Sequence, residues 1–223
     1  MKISQLFDLN YTAAADYLNG FDYAWEALGG IKQAILEIGN SLDKNEYTQV
    51  SKDVWVHKTA TVAPTAFLGA PCIIGANTDV RHCAFIRGSA LVGKGCVVGN
   101  SVELKNVILF DGVQVPHYNY VGDSILGHKS HMGAGSITSN VKSDKSPVTV
   151  RDGKTCIQTG LKKFGAILGD FVEVGCNSVL NPGTVIGRGT NIYPLSSVRG
   201  VVPANSIYKS AQNIVYKIDK QRD

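Results

Sequence analysis

The sequence lacks three features that would point to particular classes of protein. It contains no run of eighteen apolar residues, so we expect no membrane-spanning helix. Its N-terminal stretch lacks the basic and then apolar pattern of a secretory segment, and its Lys and Arg residues form no dense block of the kind that binds nucleic acid. We therefore expect a cytoplasmic protein that binds neither membranes nor nucleic acids.

Paired cysteines are also missing. The chain has five cysteines, and none of them forms a Cys-x-x-Cys pair. This spacing favours reduced thiols over a disulfide framework or a structural zinc site. The formal net charge is only +4, which is compatible with a basic pocket for a phosphorylated small molecule.

What the sequence does have is an aliphatic residue at every sixth position between Val56 and Leu104. A helix would repeat near 3.6 and a half-buried strand at 2, so neither explains this spacing. Such hexads are typical of a solenoid in which three short strands make one triangular coil of about eighteen residues. The same spacing returns from Leu168 to Val198. The repeat predicts an all-β fold, the left-handed parallel β-helix.

The repeat divides the chain into three parts. Residues 1–53 lack it, and apolar residues at helical spacing between Tyr23 and Leu42 predict a small helical cap over one open end of the solenoid. A small substrate-binding subdomain is the alternative. The solenoid is predicted over 54–202, with a polar loop insertion near 141–160, and residues 203–223 form a C-terminal tail.

Candidate functional residues lie near the interruptions of the repeat. Pro116 takes a position where an aliphatic residue is expected, so we expect the register to slip there, beside His117. A histidine suits a general base, although a surface or stacking histidine is the alternative. Arg87 and Lys105 are one full coil apart, so they are expected to lie one above the other. Such a pair favours a bound phosphate, unless both charges are solvated or Glu103 neutralises them.

The run from Pro116 to Asn140, PHYNYVGDSILGHKSHMGAGSITSN, resembles the acetyltransferase domain of the bifunctional glucosamine-1-phosphate acetyltransferase/N-acetylglucosamine-1-phosphate uridyltransferase family. The residues that match the family's motifs are Arg87, Asn100, Glu103, Lys105, His117, Tyr120, Gly122, Asp123, Gly133, Ala134, Gly135 and Asn140. The segment from Thr159 to Asp170 is more similar to the archaeal sugar-1-phosphate nucleotidylyltransferase/acetyltransferase version of the family.

This resemblance implies a homotrimeric enzyme that transfers acetyl from acetyl-CoA, as co-substrate, to the amine of an amino-sugar 1-phosphate resembling glucosamine 1-phosphate, a step toward UDP-N-acetylglucosamine. It implies that His117 is the general base and that Ala134 and Cys176 line the acetyl-CoA groove, although Cys176 could equally be a small packing residue. The residues implied to bind substrate are Arg87, Lys105, Tyr120, Asn140, His131 and Lys145. No metal is required, because a thioester is already activated. No nucleotidyltransferase activity is expected, because residues 1–53 are too short for a nucleotide-binding domain.

Departures from the family pattern leave two other functions open. His131 stands where bacterial members carry Asn, Val141 where they carry Tyr, and Ser146 where they carry Lys. These changes favour a non-catalytic trimeric scaffold or regulatory relative as the first alternative. The second is a metal enzyme of the γ-carbonic anhydrase type, for which His117, His128 and His131 are the candidate ligands.

Overall fold

The computed structural model describes residues 1–218, and most of them form a solenoid of short parallel strands. Each strand pairs with the strand one coil further along the chain, as Val54 does with Cys72 and Val80 with Val98. The predicted left-handed parallel β-helix is confirmed. No helix in the described part of the chain is long and apolar enough to cross a bilayer.

The helical elements all precede the solenoid. They are α1 (Ile3–Leu6), a 3₁₀ helix (Leu9–Tyr11), α2 (Ala15–Leu18), a second 3₁₀ helix (Ala24–Gly29) and α3 (Ile31–Ser41). The strands are β1 (Tyr47–Ser51), β2 (Val54–His57), β3 (Thr61–Val62), β4 (Phe67–Leu68), β5 (Cys72–Ile74), β6 (Asp79–Val80), β7 (Phe85–Ile86), β8 (Ala90–Val92), β9 (Val97–Asn100), β10 (Glu103–Leu109), β11 (Gln114–His117), β12 (Tyr120–Leu126), β13 (His131–Met132), β14 (Ile137–Thr138), β15 (Thr149–Asp152), β16 (Thr155–Gln158), β17 (Ala166–Leu168), β18 (Glu173–Val174), β19 (Val179–Leu180), β20 (Thr184–Ile186), β21 (Asn191–Ile192), β22 (Ser197–Val198), β23 (Val201–Val202), β24 (Ser206–Ser210) and β25 (Asn213–Tyr216).

The solenoid has three faces, which we number in chain order. The first face contains β2, β5, β8, the second halves of β10 and β12, β17, β20 and β23. The second face contains β3, β6, β9, β11, β13, β18, β21 and β24. The third face contains β4, β7, the first halves of β10 and β12, β14, β19 and β22. Because β10 and β12 each run from the third face into the first, these two faces form one hydrogen-bonded sheet.

The residues at the hexad positions point inward and form the core of the solenoid. Ile74, Ile86 and Leu104 are fully buried, and so are Leu168 and Val198 in the second run of the repeat. In the first coil Val56, Val62 and Leu68 are only partly buried, because no coil precedes them. Burial of aliphatic surface, at about 25 cal/mol per Å², is the main term that stabilises this stack of coils.

The register of the repeat changes at Asn106, where the coil is one residue shorter. The prediction that it changes at Pro116 is therefore wrong. Glu103 pairs with Tyr120, seventeen positions further along, whereas earlier coils pair at eighteen. Asn106 has a φ of 55°, a left-handed conformation that asparagine tolerates better than most residues. It lets β10 turn the corner with one residue fewer, and Pro116 lies inside a regularly paired strand.

The N-terminal segment covers the first face, so the expected cap over an open end is wrong. The side chains that point outward from the first face are apolar and almost fully buried; they are Ile73, Leu91, Ile108, Ile125 and Ile167. The helix α3 contacts β5, β8 and β10, and the Phe7 ring lies 4.8 Å from that of Phe110. Helices therefore lie along this face because its strands are apolar on both sides.

The insertion near 141–160 contains a hairpin, in which β15 and β16 pair antiparallel. Val150 in β15 and Val148 just before it are buried, and β15 contacts β23 of the first face. At the C-terminal side β24 and β25 form an antiparallel pair. Residues 219–223 of the predicted tail lie outside the described residues.

Candidate active site

Arg87 and Lys105 occupy equivalent positions on adjacent coils of the third face. They directly follow Ile86 and Leu104, which pair in register, and the Arg87 backbone nitrogen donates to the Leu104 carbonyl at 2.9 Å. Each cation has a carboxylate partner. Arg87 Nη1 lies 2.8 Å from an oxygen of Glu103, and Lys105 Nζ lies 2.7 Å from Asp123 Oδ1. The structure thus shows the neutralisation by Glu103 that the sequence left open.

Asp123 connects several of the predicted substrate ligands. Its side chain is only 5% exposed, and its Oδ1 also accepts a hydrogen bond from Asn106 Nδ2 at 3.0 Å. Its Oδ2 accepts from Asn140 Nδ2 at 2.6 Å. A buried carboxylate needs such partners, since an unpaired one is costly in free energy. Lys105 and Asn140 are therefore held together by Asp123, to which the sequence analysis assigned no role.

Tyr120 lies between Glu103 and Asn140 on the same face. Its ring covers Gly122, because a Cβ at that glycine would lie 2.5 Å from the Tyr120 hydroxyl. Asn140 Nδ2 donates to this hydroxyl at 3.2 Å. Partial burial, together with the nearby charges of Asp123 and Glu103, raises the pKa of Tyr120. The phenol is therefore protonated at neutral pH and has a proton to donate to a ligand.

His117 and the two predicted groove residues lie on one edge of the solenoid, where the second face meets the third. Gln114 pairs with His131, which places Ala134 one coil from His117. Met132 pairs with Val174, which places Cys176 one coil further. The predicted base and the predicted groove residues therefore form one column.

The turn that carries His117 is fixed by Asn119, whose side chain is buried. Asn119 Oδ1 accepts from the His117 backbone nitrogen at 3.2 Å, and its Nδ2 donates to the carbonyls of Gly133 and Ser136 at 2.9 and 3.0 Å. The His117 side chain is exposed and makes no hydrogen bond within residues 1–218. It is thus free to contact a ligand or a second copy of the chain.

Two of the predicted substrate ligands are not brought to the third face. His131 lies on the second face, where its Nδ1 is 2.8 Å from an oxygen of Glu173. Both residues border a groove of about 360 Å³ that also includes Cys176. Lys145 is exposed in the insertion and forms no ion pair among the described residues. Within a single chain, neither residue joins the cluster around Asp123.

Glu173 is a candidate site residue that the sequence analysis missed. It pairs with His131 across one coil, yet the two are forty-two positions apart because the insertion lies within that coil. Counting eighteen-residue coils therefore does not find it. Matching the hexad position Leu126 before the insertion to Leu168 after it would have aligned β13 with β18 and placed the two side chains together.

The histidines proposed as metal ligands have separate environments. His128 is buried, its Nδ1 lies 2.7 Å from the Asp111 carbonyl oxygen, and its ring stacks on Tyr11 with centroids 3.7 Å apart. His131 is bound to Glu173. Residues 1–218 contain no group of three or more His, Cys, Asp or Glu side chains placed to hold a metal ion.

Comparison with known proteins agrees with the resemblance recognised in the sequence. The family model of the GMPPB C-terminal domain matches residues 79–188. The bifunctional protein GlmU of Methanococcus vannielii is 33% identical over 135 residues, which is 60% of this chain and 32% of that protein. The bifunctional protein GlmU of Methanococcus maripaludis is 27% identical over 221 residues, 97% of this chain and 53% of that protein. A bifunctional sugar-1-phosphate nucleotidylyltransferase/acetyltransferase of Sulfurisphaera tokodaii is 35% identical over 109 residues, 49% of this chain and 27% of that protein.

The chain spans about half or less of the length of these relatives. Among solved structures it is similar to a hexapeptide transferase family protein from Anaplasma phagocytophilum, with 15% identity and a TM-score of 0.42, over 74% of this chain and 79% of that one. It is also similar to the polySia-specific acetyltransferase NeuO, with 16% identity and a TM-score of 0.46, over 73% of this chain and 87% of that one. The family resemblance predicted from the sequence is confirmed by the named relatives.

Proposed function

We propose that this chain transfers an acetyl group from acetyl-CoA to the amine of an amino-sugar phosphate, with His117 as the general base. One observation carries the proposal. The predicted base and both predicted groove residues lie on one edge of the solenoid, and the residues expected to hold the sugar phosphate lie on the adjoining third face. The relatives named as bifunctional sugar-1-phosphate nucleotidylyltransferase/acetyltransferases agree with this reaction class.

The reaction needs one proton transfer that His117 is suited to provide. As the substrate nitrogen bonds to the thioester carbonyl carbon, the His117 imidazole accepts the proton that the nitrogen loses. The carbon–sulfur bond then breaks, and the proton passes to the leaving thiolate. The products are an amide and a free thiol, so atoms and charge balance without a metal ion or a covalent enzyme intermediate. Positioning of the two substrates supplies the rest of the rate enhancement.

The groove beside Cys176 fits the extended, largely apolar arm of acetyl-CoA. It is lined by small and apolar groups, including Gly175, Tyr193 and Pro194, over a volume of about 360 Å³. A Cβ at Gly133 would lie 2.7 Å from the Cys176 backbone nitrogen, so a larger residue there would push these coils apart. Glycine at position 133 therefore keeps the two coils that border the groove closely stacked.

On the third face, Tyr120 and Asn140 offer hydroxyl and amide groups to sugar hydroxyls. Their hydrogen bond to each other, at 3.2 Å, fixes both side chains before substrate binds. The shared contact of Asn140 and Lys105 with Asp123 adds a second constraint. This preorganisation lowers the conformational entropy lost on binding.

A homotrimer completes the site. Large apolar side chains are exposed on the third face and on the edge that carries His117; they are Phe67, Phe85, Tyr118 and Leu195. In a cyclic trimer two different surfaces of each copy meet, so the second face of one copy can approach the third face of the next. This arrangement would bring His131 and Glu173 of one protomer to the cluster around Asp123 of its partner.

Release of free thiol on mixing the protein with acetyl-CoA and a panel of amino-sugar phosphates tests this function. We expect thiol release that depends on an amino-sugar phosphate and that yields the N-acetylated sugar. The ion pairs of Arg87 and Lys105 within the chain favour the non-catalytic relative as the second candidate. A folded protein that releases no thiol above background with any amine in the panel would establish that alternative.

A further inference from the structure

The third face carries Arg87 and Lys105 toward one end and Arg199 toward the other. Carboxylates neutralise only the first two of these cations. Arg87 is paired with Glu103 and Lys105 with Asp123. A phosphate that binds there has to compete with two carboxylates already in place. Because the buried Asp123 carboxylate already neutralises Lys105, a phosphate at this end gains less from that ammonium than it would from an unpaired cation.

At the other end, Arg199, Arg151 and Lys142 surround a common space. Arg199 lies one coil above Asn181, and its Nη2 donates to Asn181 Oδ1 at 3.0 Å. Neither Arg199 nor Arg151 forms an ion pair with a carboxylate of residues 1–218. Lys142 contacts the Ser146 hydroxyl, and its Nζ lies 3.6 Å from Asp144.

This space is a cavity of about 280 Å³ between the insertion and the third face, bordered by Ser139, Asn181, Lys142 and Arg199. A smaller cavity of about 40 Å³ adjoins it, shares Lys142 and Arg199, and adds Arg151. Guanidinium, ammonium, amide and hydroxyl groups are the donors that bind phosphate oxygens.

The carboxylate of Asp144 offsets only one of these positive charges. Its Oδ1 accepts hydrogen bonds from the Ser146 backbone nitrogen at 3.0 Å and from the Ser146 hydroxyl at 2.8 Å. These hydrogen bonds lower the pKa of Asp144, so it is ionised at neutral pH. Lys142 and Arg199 border the larger cavity together with Asp144, and Arg151 borders the smaller one, so the two adjoining cavities together have three cations and one carboxylate.

The cavity also adjoins the residues proposed to hold the sugar. Ser139 directly precedes Asn140, which contacts Tyr120 and Asp123. Its backbone nitrogen donates to the Leu180 carbonyl at 2.8 Å, so Ser139 lies one coil below Asn181. A ligand that contacts Asn140 is therefore within two coils of Arg199.

We propose that this cavity is an anion site for a phosphate or diphosphate group of the acceptor, with Arg199, Arg151 and Lys142 as its cations. The Ser139 hydroxyl supplies a neutral donor to the same group, and Asn181 positions Arg199 by accepting its hydrogen bond at 3.0 Å. The identity of the ligand as the acceptor rests on the proposed function, whereas the binding of an anion does not. The site differs from the expected phosphate ligands Arg87 and Lys105, which lie lower on the same face.

Titration calorimetry with inorganic pyrophosphate at low ionic strength tests the site directly, without any turnover. We expect one pyrophosphate per chain and at least tenfold weaker binding to Arg199→Gln and to Arg151→Gln. Both side chains are exposed, so these variants are expected to fold, and circular dichroism checks this. Lys32→Gln is the matched control, because it removes an exposed charge on α3 that forms no ion pair in residues 1–218. Its affinity is expected to equal that of the unaltered protein.

Three results would overturn the proposal. One is the absence of pyrophosphate binding, and another is equal weakening by Lys32→Gln and Arg199→Gln, which would indicate a general charge effect. The third is binding that Arg87→Gln abolishes and Arg199→Gln leaves intact. Competition identifies the source of the phosphate: we expect glucosamine 1-phosphate to displace pyrophosphate and coenzyme A not to do so. Displacement by coenzyme A alone would reassign the cavity to the co-substrate and contradict its role in acceptor binding.

Discussion

The ammonium group of Lys105 lies 2.7 Å from Asp123 Oδ1, and the carboxylate that it contacts is almost fully buried. This ion pair joins two consecutive coils at the corner where each coil has lost one residue. The Asn106 and Asn140 side chains bind the same carboxylate from the coils below and above. The pair therefore organises the third face of the solenoid as well as stabilising it.

Replacing Asp123 with Asn is expected to destabilise the protein by about 1.5 to 3 kcal/mol, the range for a hydrogen bond to a charged group. The substitution leaves the Lys105 ammonium without its counter-charge. Urea unfolding measures the change. Glu103→Gln is the control, because its ion pair with Arg87 is much more exposed and is expected to contribute far less to stability. Equal losses for the two variants would contradict the central role of Asp123.

Two of the five thiols are expected to be unreactive in the folded protein. Cys72 and Cys96 are buried inside the solenoid, and burial raises the pKa of each thiol to about 12. Because the thiolate is the reactive form, a disulfide reagent at pH 8 should titrate only the three exposed cysteines until a denaturant is added. Fast reaction of all five thiols without denaturant would show that the core is open to solvent.

Acetyl-CoA is expected to protect Cys176 from alkylation. Cys176 is exposed in the groove beside the His117 edge, so a bound co-substrate covers its thiol. Mass spectrometry of the alkylated protein measures the rate at this residue. Cys156, exposed in the hairpin of the insertion, is the internal control, and its rate is expected to be unchanged. Equal rates at Cys176 with and without acetyl-CoA would place the co-substrate elsewhere.

The hexad spacing predicts which side chains point inward, but it does not predict what lies on the outer side of each face. Ile73 and Leu91 are as apolar as their inward neighbours, and only the structure shows that helices cover them. The shortened corner is hidden for a similar reason. Val107, Ile108 and Leu109 are all apolar, so the sequence gives no sign of which one continues the register.

The candidate site was predictable where the coils are regular. Eighteen-residue counting places Arg87 beside Lys105, and the structure has them there. It does not reveal the partner of His131, because the insertion separates His131 from Glu173 by forty-two positions. Asp123 lies eighteen positions after Lys105, so counting alone points to it, although the shortened coil pairs Lys105 with Gly122. The length of the insertion is therefore what hides Glu173.

The most direct test of the account is the rate of thiol release by His117→Ala with acetyl-CoA and the best amino-sugar phosphate. His82→Ala is the matched control, because His82 is an exposed histidine that lies two coils below His117 on the same edge. Loss of a general base lowers turnover by about 10² to 10⁴, so we expect a loss in this range for His117→Ala and full activity for His82→Ala, with both variants folded. Full activity of His117→Ala would contradict the assignment of His117 as the base.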